Sequence, residues 1–437
     1  MTSSRRAFLQ GATAAAVGAA ALPSCSTRPA PRPAKAPSEK LKLIVVGVSG
    51  RGGDNLNGVA GEDIAVLCDV DGRALAKAGE RFPAARRIAD FREVLADAAA
   101  CRALDGAVVS TPDHTHYPAA MLALQHGLDV YCEKPLTHTV AQARRLATLA
   151  RQNGCITQMG IQIHANAPYR RTVEAVRAGA VGPVREVFVF VNGTDWSAQE
   201  LPAGKPVPEW LQWDCWLGPA AERGYSDGYH PAAWRRYWAF GGGTTADMAC
   251  HYMDLAFWAL DLDAPTSLVA DGPEPHAECA PRGMRCVYDF PARGARAPVV
   301  VHWHAGNDRP AQVLAERGLD KWTNGVLFVG DDGWLIANYD KHEIGPTPRA
   351  AAWQAPPQTI APSPGHHAEW IWCCKERIVP TCSFAYAAPL TETVLLANVA
   401  FRAARGRRLR WDAAALELDD AAANRLLDET PRAGFSA

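Results

Sequence analysis

The stretch Asp129-Val130-Tyr131-Cys132-Glu133-Lys134-Pro135-Leu136 decides the fold. It begins as a strand and ends at a lysine that is followed by a proline. Because proline biases the residue before it toward an extended backbone, we expect Lys134 at the carboxyl end of the strand. In an open α/β sheet that edge is where ligands bind. A lone Lys-Pro pair would suggest only a surface lysine in a loop, so the interpretation depends on the surrounding sequence.

Strands and helices alternate through the first part of the chain. The run from Leu41 to Val46 is almost continuously apolar, as a doubly buried parallel strand is. Further strands are predicted at 64–68, near 87–89, at 105–110, at 129–133 and at 155–159. This alternation is typical of a parallel, doubly wound sheet. After Gly160 the predicted strands follow one another, and Gly330-Asp331-Asp332-Gly333 predicts a hairpin turn, so a second, mostly antiparallel sheet is expected.

The composition fits a soluble globular protein of two domains preceded by a leader. The chain has 437 residues, of which 45 are Lys or Arg and 46 are Asp or Glu. The two kinds of charge cancel, so no field of one sign exists to attract nucleic acid or an anionic membrane. Nucleic-acid partners are therefore excluded. No apolar span outside the leader is long enough to predict a transmembrane helix.

The amino terminus has the pattern of an exported protein. Arg5 and Arg6 precede an apolar run from Gly11 to Leu22, which is the pattern of a twin-arginine signal. Leu22-Pro23-Ser24-Cys25 resembles a lipoprotein cleavage box, and ordinary cleavage nearby with an incidental Cys25 is the alternative. We expect a signal peptide over 1–25, a Pro-rich linker over 26–40 and a periplasmic location. Contact with a membrane would come only through a lipid anchor at Cys25.

A glycine-rich turn follows the first predicted strand. Its pattern is G-x-S-x-x-G, formed by Gly47, Ser49 and Gly52, so a small serine replaces the second glycine of the usual dinucleotide fingerprint. Such a turn lets the backbone approach a pyrophosphate at a helix amino terminus. Asp69 ends the next strand, where a carboxylate binds ribose hydroxyls and repels a 2′-phosphate, which favours NAD over NADP. A helix-capping role for Asp69 is the alternative, and the nearby Arg73 speaks for NADP.

Asp247 and His251 lie four residues apart and follow Gly241-Gly242-Gly243. On a helix this spacing puts both side chains on one face. A carboxylate beside an imidazole can fix its tautomer and raise its basicity, as a general base requires. The alternatives are an exposed ion pair and a metal site completed by His302 and His304. Strand histidines among aromatic residues more often pack or line a pocket, so no metal site is predicted.

Six tryptophans between positions 196 and 238 form either core or a carbohydrate pocket. The residues expected to contact a substrate are Tyr229, His230, Trp234 and Arg235, together with Gln162, His164 and Asn166 at the domain junction.

Together these stretches resemble the Gfo/Idh/MocA oxidoreductase family, from about Leu41 to about Trp411. The motifs that carry the resemblance are Glu133-Lys134-Pro135, the Thr111-Pro112…His116 loop, the Gly241…His251 segment and the Gly330…Gly333 hairpin. The resemblance implies a Rossmann domain over 41–160 that binds NAD, and an α/β domain with an open, mostly antiparallel sheet over 161–411. A tail over 412–437 follows, and the nicotinamide would lie in the cleft between the domains.

The resemblance also implies roles for individual residues. Lys134, Asp247 and His251 would form the catalytic group. His251 would remove the proton when a hydride leaves a sugar carbinol, Lys134 would stabilise charge on the oxygen, and Asp247 would orient His251. The residues expected to bind the cofactor are Gly47, Ser49, Gly50, Arg51, Gly52, Asp69, Thr111, Pro112, His116, Glu133 and Lys134.

The function predicted from the sequence is NAD-dependent oxidation of a hydroxyl on a small carbohydrate. Because free NAD is scarce outside the cytoplasm, we expect a tightly held cofactor that is restored within each cycle. The alternatives are a redox-assisted glycoside hydrolase similar to the NAD-dependent α-N-acetylgalactosaminidases and a non-catalytic NAD-binding sugar sensor. Pairing into a homo-oligomer through the open sheet is left open.

Overall fold

The computed structural model describes residues 29, 32–306 and 308–435. The predicted signal peptide and Cys25 lie outside these residues. Arg32 Nε donates to the carbonyl oxygen of Gly127 at 2.8 Å, and Lys35 Nζ contacts the Asp105 carboxylate at 2.7 Å. The predicted linker is therefore held against the first domain from Arg32 onward instead of extending away from it.

The first domain contains a six-stranded parallel sheet in the order β3-β2-β1-β4-β5-β6. Its strands are β1 (Lys42–Val46), β2 (Asp63–Cys68), β3 (Arg86–Ile88), β4 (Gly106–Val109), β5 (Asp129–Glu133) and β6 (Thr157–Gly160). Its helices are α1 (Arg51–Gly58), α2 (Gly72–Arg81), α3 (Arg92–Leu95), α4 (Ala98–Arg102), α5 (Asp113–Gln125) and α6 (Val140–Asn153). The strand order reverses between β1 and β4, which is where ligands lie in doubly wound sheets. All five residues of β5 are buried, and Lys134 follows directly, as predicted.

The second domain contains a nine-stranded sheet in the order β13-β12-β11-β7-β10-β9-β8-β14-β15. Its strands are β7 (Val184–Val191), β8 (Ser267–Asp271), β9 (Met284–Phe290), β10 (Val299–Ala305), β11 (Asn324–Gly330), β12 (Gly333–Ala337), β13 (His342–Gly345), β14 (Leu409–Asp412) and β15 (Glu417–Leu418). Only β7 and β10 pair in parallel among the described strands of this sheet, so the prediction of a mostly antiparallel sheet is confirmed. The predicted hairpin joins β11 and β12.

Eight further α-helices follow within the described residues. They are α7 (Ala167–Arg177), α8 (Trp213–Leu217), α9 (Gly243–Leu260), α10 (Ala311–Ala315), α11 (Thr347–Ala352), α12 (His366–Glu376), α13 (Phe384–Ala404) and α14 (Ala421–Asn424). Helix α13 packs against α6 of the first domain and α9 of the second. It is long and apolar enough to cross a membrane, but 83% of its most apolar window is buried inside the fold, as in a core helix.

Helix α12 lies late in the sequence but completes the first domain. Trp370 is fully buried in an apolar cluster with Val45, Val108 and Tyr131 of the parallel sheet. His366 Nε2 lies 2.9 Å from the carbonyl oxygen of Met159 in β6. The core of the first domain therefore includes residues far beyond position 160.

Candidate active site

The two domains meet at an ion pair between Lys134, which follows β5, and Asp247, near the start of α9. Lys134 Nζ donates to Asp247 Oδ1 at 2.7 Å and to the backbone carbonyl of Asp247 at 2.6 Å. The side chains are only 11% and 13% exposed. The pair places two of the predicted catalytic residues in direct contact across the domain boundary.

The Asp247 carboxylate is held by two further donors. Arg235 Nε donates to Oδ1 at 3.1 Å, and the Trp196 indole donates to Oδ2 at 2.7 Å. Burial alone would raise the pKa of Asp247, but the charges of Lys134 and Arg235 outweigh it and hold that pKa well below its usual range. Asp247 is therefore a fixed negative charge. Trp196 was not identified from the sequence as a residue of this site.

His251 lies one turn further along α9, but it does not bond to Asp247. Its Nδ1 is buried and has no hydrogen-bond partner among the described residues. Burial, reinforced by the charge of Lys134, lowers the pKa of His251 to about 3. The expectation that Asp247 orients His251 by a hydrogen bond is therefore wrong, because the carboxylate is taken by Lys134, Arg235 and Trp196. The charge of Asp247 does raise the pKa of His251, as expected, but burial and Lys134 lower it by more. His251 is a neutral imidazole.

The loops after β4 and β5 are joined by His116. Its ring lies between the carbonyl oxygens of Pro135, at 2.8 Å from Nδ1, and Thr111, at 2.9 Å from Nε2. Burial lowers the pKa of His116 to about 4, against the two carbonyl oxygens, which raise it. His116 was expected to seat the nicotinamide, and its contacts instead position the two loops. Thr111 Oγ1 is buried without a partner among the described residues and is left to bond a ligand. Pro112 is the N-cap residue of α5.

Glu133 is the centre of a polar network at the carboxyl end of the sheet. Its Oε1 accepts hydrogen bonds from Asn55 Nδ2 at 3.0 Å and from Gln162 Nε2 at 2.8 Å. His367 Nε2 in turn donates to Asn55 Oδ1 at 2.8 Å. Burial raises the pKa of Glu133. Gln162, expected to contact a substrate, thus lies with Glu133, and sequence reasoning missed Asn55 and His367.

The glycine-rich turn between β1 and α1 is tightly built. Gly47 has φ +84°, and a Cβ there would lie 2.5 Å from the carbonyl oxygen of Ser110. A Cβ at Gly52 would lie 2.3 Å from the carbonyl oxygen of Gly47. Larger residues at either position would push the turn apart. Ser49, which replaces the usual glycine, is exposed.

The start of α1 offers free backbone donors. The first bond into the helix runs from Asp54 N to the carbonyl oxygen of Gly50, at 3.2 Å. The N–H groups of 51–53 precede it, so they remain for an anion, and a Cβ at Gly50 would meet nothing within 4 Å. Arg51 pairs only loosely with Asp54, at 3.4 Å. The residues present thus fit a pyrophosphate.

Asp69, directly after β2, organises the ribose end of the site. Its Oδ2 accepts from Val48 N and its Oδ1 from Asp71 N, both at 2.9 Å. Each carboxylate oxygen keeps a second lone pair for a ribose hydroxyl. Arg73 is engaged elsewhere, since its guanidinium bonds both oxygens of Asp71 at 3.1 and 2.8 Å and lies 3.4 Å over the Trp210 ring. The Arg73 guanidinium, whose charge would favour NADP, is thus already in contact with Asp71 and Trp210.

Both domains match a known family. Residues 41–161 match the Gfo/Idh/MocA oxidoreductase family model for its NAD-binding Rossmann fold, and residues 172–301 match the model for its C-terminal α/β domain. The chain belongs to the Gfo/Idh/MocA oxidoreductase family. Its first domain is therefore an NAD-binding Rossmann domain, as predicted.

Named proteins similar to this Gfo/Idh/MocA chain include dehydrogenases. Inositol 2-dehydrogenase of Salmonella paratyphi B is 26% identical over 171 residues, which cover 38% of this chain and 48% of that protein. Inositol 2-dehydrogenase 1 of Saccharopolyspora erythraea is 33% identical over 148 residues, covering 32% and 43%. The chain thus matches about half, or less, of the length of these relatives.

A solved structure has the same fold over most of its length. The WlbA dehydrogenase from Bordetella pertussis, in complex with NADH and UDP-GlcNAcA, has a TM-score of 0.59 and 18% sequence identity. The match covers 86% of this chain and 99% of that one. At this identity the likeness concerns the fold.

The aromatic residues expected to contact a substrate in this Gfo/Idh/MocA protein are core residues. Tyr229 and Trp234 are each 4% exposed and belong to a cluster with Trp216 and Phe240. Both side chains pack in this cluster, and substrate contact at Tyr229 and Trp234 stays a prediction. A run of tryptophans fits a pocket and a core equally well by composition, and here most of the run forms a small second core.

Three other expected substrate contacts also lie away from Asp247. His164 is 1% exposed and bonds to Asp254 at 2.9 Å, and its contact with a substrate stays a prediction. Asn166 is the exposed N-cap residue of α7. His230 Nε2 lies 3.6 Å from Asp71 Oδ2, at the ribose end. Of the predicted substrate contacts, only Arg235 reaches the Lys134–Asp247 pair directly within the described residues.

The strand histidines of the metal alternative each have another partner. His302 lies 3.2 Å from Glu186 and stacks on Phe188, and His304 lies 3.1 Å from Asp308. In the described part of the chain, no three His, Cys, Asp or Glu side chains are grouped to hold a metal. The described cysteines are all free thiols, most of them buried.

The low pKa of His251 predicts an unusual pH profile. A lowered pKa keeps the ring in its basic form down to about pH 4, whereas an ordinary histidine with a pKa of about 6.5 would lose about tenfold in kcat/KM by pH 5.5. We expect no acid limb near pH 6.5 that depends on His251. The check is to compare the pH profiles of kcat/KM for the wild type and His251→Gln. A limb near pH 6.5 that disappears in the variant would contradict the assignment.

The position of Asp69 predicts a preference for NAD over NADP. Hydrogen bonds to a charged group contribute about 1.5–3 kcal/mol each, so Asp69→Asn should weaken NAD binding by about 10–100-fold. NADP binding should change less, because the variant no longer repels a 2′-phosphate. Isothermal titration of both nucleotides into protein that has been freed of NAD by denaturation and then refolded measures the change. Arg73→Gln is the control and should leave the NAD/NADP ratio within about twofold, since its charge is neutralised by Asp71.

Proposed function

We propose that this Gfo/Idh/MocA protein is an NAD-dependent oxidoreductase that oxidises a hydroxyl group of a carbohydrate. The observation that carries the proposal is the buried Lys134–Asp247 pair at the carboxyl edge of the parallel sheet, beside the neutral His251. The names of relatives support the substrate class, since inositol is a polyol and UDP-GlcNAcA carries a sugar acid.

Lys134, Asp247 and His251 have separate roles in the proposed reaction. Bound NAD supplies the acceptor for the hydride that leaves the carbinol carbon. Lys134 donates a hydrogen bond to the reacting oxygen and stabilises the negative charge that develops there. Its direction is fixed by the carboxylate and carbonyl oxygens of Asp247. The proton of the hydroxyl passes to the ring of His251, which is unprotonated and able to accept it at neutral pH.

A strap, defined as residues 205–240, supports tight retention of the cofactor. Trp210 accepts a backbone hydrogen bond from Gly72 N at 2.8 Å, and Gln212 N donates to the carbonyl oxygen of Val70 at 3.0 Å. The strap thus ties the second domain to the loop after β2, where the adenosine of a dinucleotide lies in this fold. Release of NAD requires this contact to open.

Tight retention fits an exported protein. The twin-arginine pattern within residues 1–25 is that of proteins exported after folding, so the cofactor is acquired in the cytoplasm. A retained cofactor must be reoxidised in place. A second substrate with a carbonyl group takes the hydride back, which completes a cycle between two sugars without free NAD.

Asp113 favours a second candidate function. Burial raises the pKa of this carboxyl to about 7, against the opposing charges of Arg235 and Lys134. A protonated carboxyl can donate a proton to a leaving oxygen. Oxidation of a glycoside at one carbon would then allow elimination of the aglycone and addition of water, and return of the hydride makes the net reaction hydrolysis.

The test uses the chain purified from cytoplasm with no nucleotide added. We expect one NAD for each chain, released only on denaturation, and a stoichiometric burst of reduced nicotinamide absorbance with a free sugar from a panel. Turnover should follow only when a carbonyl acceptor is added. Continuous phenol release from an aryl glycoside without acceptor would favour hydrolysis. If no sugar in the panel gives a burst, the proposed oxidation is contradicted. If activity appears only when NAD is added, tight retention of the cofactor is contradicted.

A further inference from the structure

A cavity of about 420 Å³ lies at the edge of the second sheet, beside the catalytic group. It is formed by Tyr252 of α9, by the loop before β11 and by the loop between β12 and β13. Its volume falls in the range of about 300–1,000 Å³ that is typical of small-molecule sites. Neither the cofactor nor the Lys134–Asp247 pair accounts for it.

Tyr339 forms the wall between this cavity and His251. Its ring lies 6.4 Å from the ring of His251 and stacks on Tyr252 at 4.7 Å. Tyr339 and Tyr252 thus both line the cavity, and Tyr339 also lies beside the ring of His251. A ligand in the cavity is therefore adjacent to one at His251.

Two amide groups in the lining have an unused NH₂ donor. Asn338 Oδ1 accepts from the backbone N–H groups of Asp340 and Lys341, both at 3.0 Å, and Asn324 Oδ1 accepts from Asn192 N at 2.8 Å. Because each oxygen faces a backbone donor, the orientation of both amides is determined. Among the described residues, neither Nδ2 group has an acceptor.

The remaining side chains add charged donors and acceptors to an aromatic wall. Lys321 and Asp340 are exposed at the cavity, while Lys341 bonds to Glu343 at 3.0 Å and lies 4.7 Å from the centre of the Trp322 ring. Tyr339 is partly exposed. A sugar ring matches this surface. Its hydroxyl oxygens can accept hydrogen bonds from the amide groups, and its C–H face can pack on the aromatic side chain.

We propose that this cavity binds a second sugar ring of the substrate, so that the enzyme acts on a glycoside or oligosaccharide in preference to a free monosaccharide. The inference rests on the proposed oxidation at Lys134 and His251. The ring that is oxidised lies against His251, and the ring linked to it lies beyond Tyr339, where Asn324 and Asn338 donate to its oxygens.

The test compares a monosaccharide that gives the reduced-nicotinamide burst with a disaccharide that carries the same ring. The variants are Asn338→Asp and Asn324→Asp, which keep the oxygen that accepts from the backbone and replace the NH₂ donor with an acceptor. We expect the wild type to have at least about tenfold higher kcat/KM for the disaccharide, and each variant to lose about tenfold for it, as the loss of one good hydrogen bond does. The kcat/KM for the monosaccharide should stay within twofold.

The matched control is Gln152→Glu, the same chemical exchange on the exposed surface of α6. It should change neither substrate, and all three variants should retain NAD. Equal kcat/KM values for the two sugars in the wild type, or equal losses for both in the variants, would overturn the second-ring site while leaving oxidation intact. A burst with no sugar of either size would instead overturn the proposed function, and the inference with it.

Discussion

Lys134→Met is expected to lower kcat/KM by about 10³-fold while NAD stays bound. Lys134 is the donor aimed at the oxygen where charge develops, and removal of one such donor costs about 10²–10³ in rate. The variant also takes away a partner of the buried Asp247 carboxylate, although Arg235 and Trp196 remain. The measurement is the burst of reduced nicotinamide with the sugar identified for the wild type, normalised to the NAD retained by each protein.

Lys134→Arg separates charge from position. It keeps a cation beside Asp247 and should restore the thermal stability that the methionine variant loses. The planar guanidinium cannot occupy the place of the ammonium group, so kcat/KM should remain at least about 100-fold below the wild type. Unchanged kcat/KM in Lys134→Met would remove this lysine from the chemistry.

His164→Leu is expected to lower the free energy of unfolding by about 3–5 kcal/mol, because removing one partner of a buried pair leaves the Asp254 carboxyl without one of its two side-chain donors. His164 Nδ1 lies 2.9 Å from Asp254 Oδ2, and the Tyr386 hydroxyl donates to Oδ1 at 2.6 Å. The two side chains of the pair are 1% and 0% exposed. Urea unfolding, followed by tryptophan fluorescence, measures the change.

The double variant His164→Leu/Asp254→Leu is the control. Replacing both members of a buried pair with apolar residues of similar volume is often neutral, so most of the lost stability should return. KM for the sugar should be unchanged in the folded fraction of each variant. Normal stability with a raised KM in His164→Leu would show that the histidine contacts the substrate after all.

The parallel sheet could be predicted because local sequence carries its signals. The apolar run of β1, the glycine turn and the Lys-Pro end of β5 are each readable within a few residues. The hairpin between β11 and β12 is readable for the same reason. These elements follow from backbone preference and burial, which act over short distances along the chain.

The surroundings of Asp247 could not be predicted in the same way. The spacing of Asp247 and His251 shows that they share a helix face, but it does not show which donors reach the carboxylate first. Those donors are Lys134, Trp196 and Arg235, which lie 113, 51 and 12 positions away in sequence. Competition among them is settled by the packing of the two domains. Only the three-dimensional structure could therefore show that His251 is not a hydrogen-bond partner of Asp247.

The tryptophan-rich segment shows a different limit. Trp234 and Tyr229 carry large apolar rings with a polar atom, and such side chains suit a sugar pocket and a small core alike. Sequence gives no measure of how many neighbours surround each ring. Trp196 is the exception in this segment, because its indole nitrogen bonds to Asp247, and nothing in its flanking residues distinguishes it from the others.

The packing of α12 on the first domain determines when, during synthesis, that domain can finish folding. Trp370 fills the core beside Val45 and Tyr131, and His367 bonds to Asn55 in the network around Glu133. A growing chain that has emerged only as far as β6 exposes an apolar face of its sheet, and such partly built domains aggregate. The dinucleotide site is finished only after residue 376 leaves the ribosome. Completion of the first domain, and of its site for NAD, is therefore a late event in synthesis.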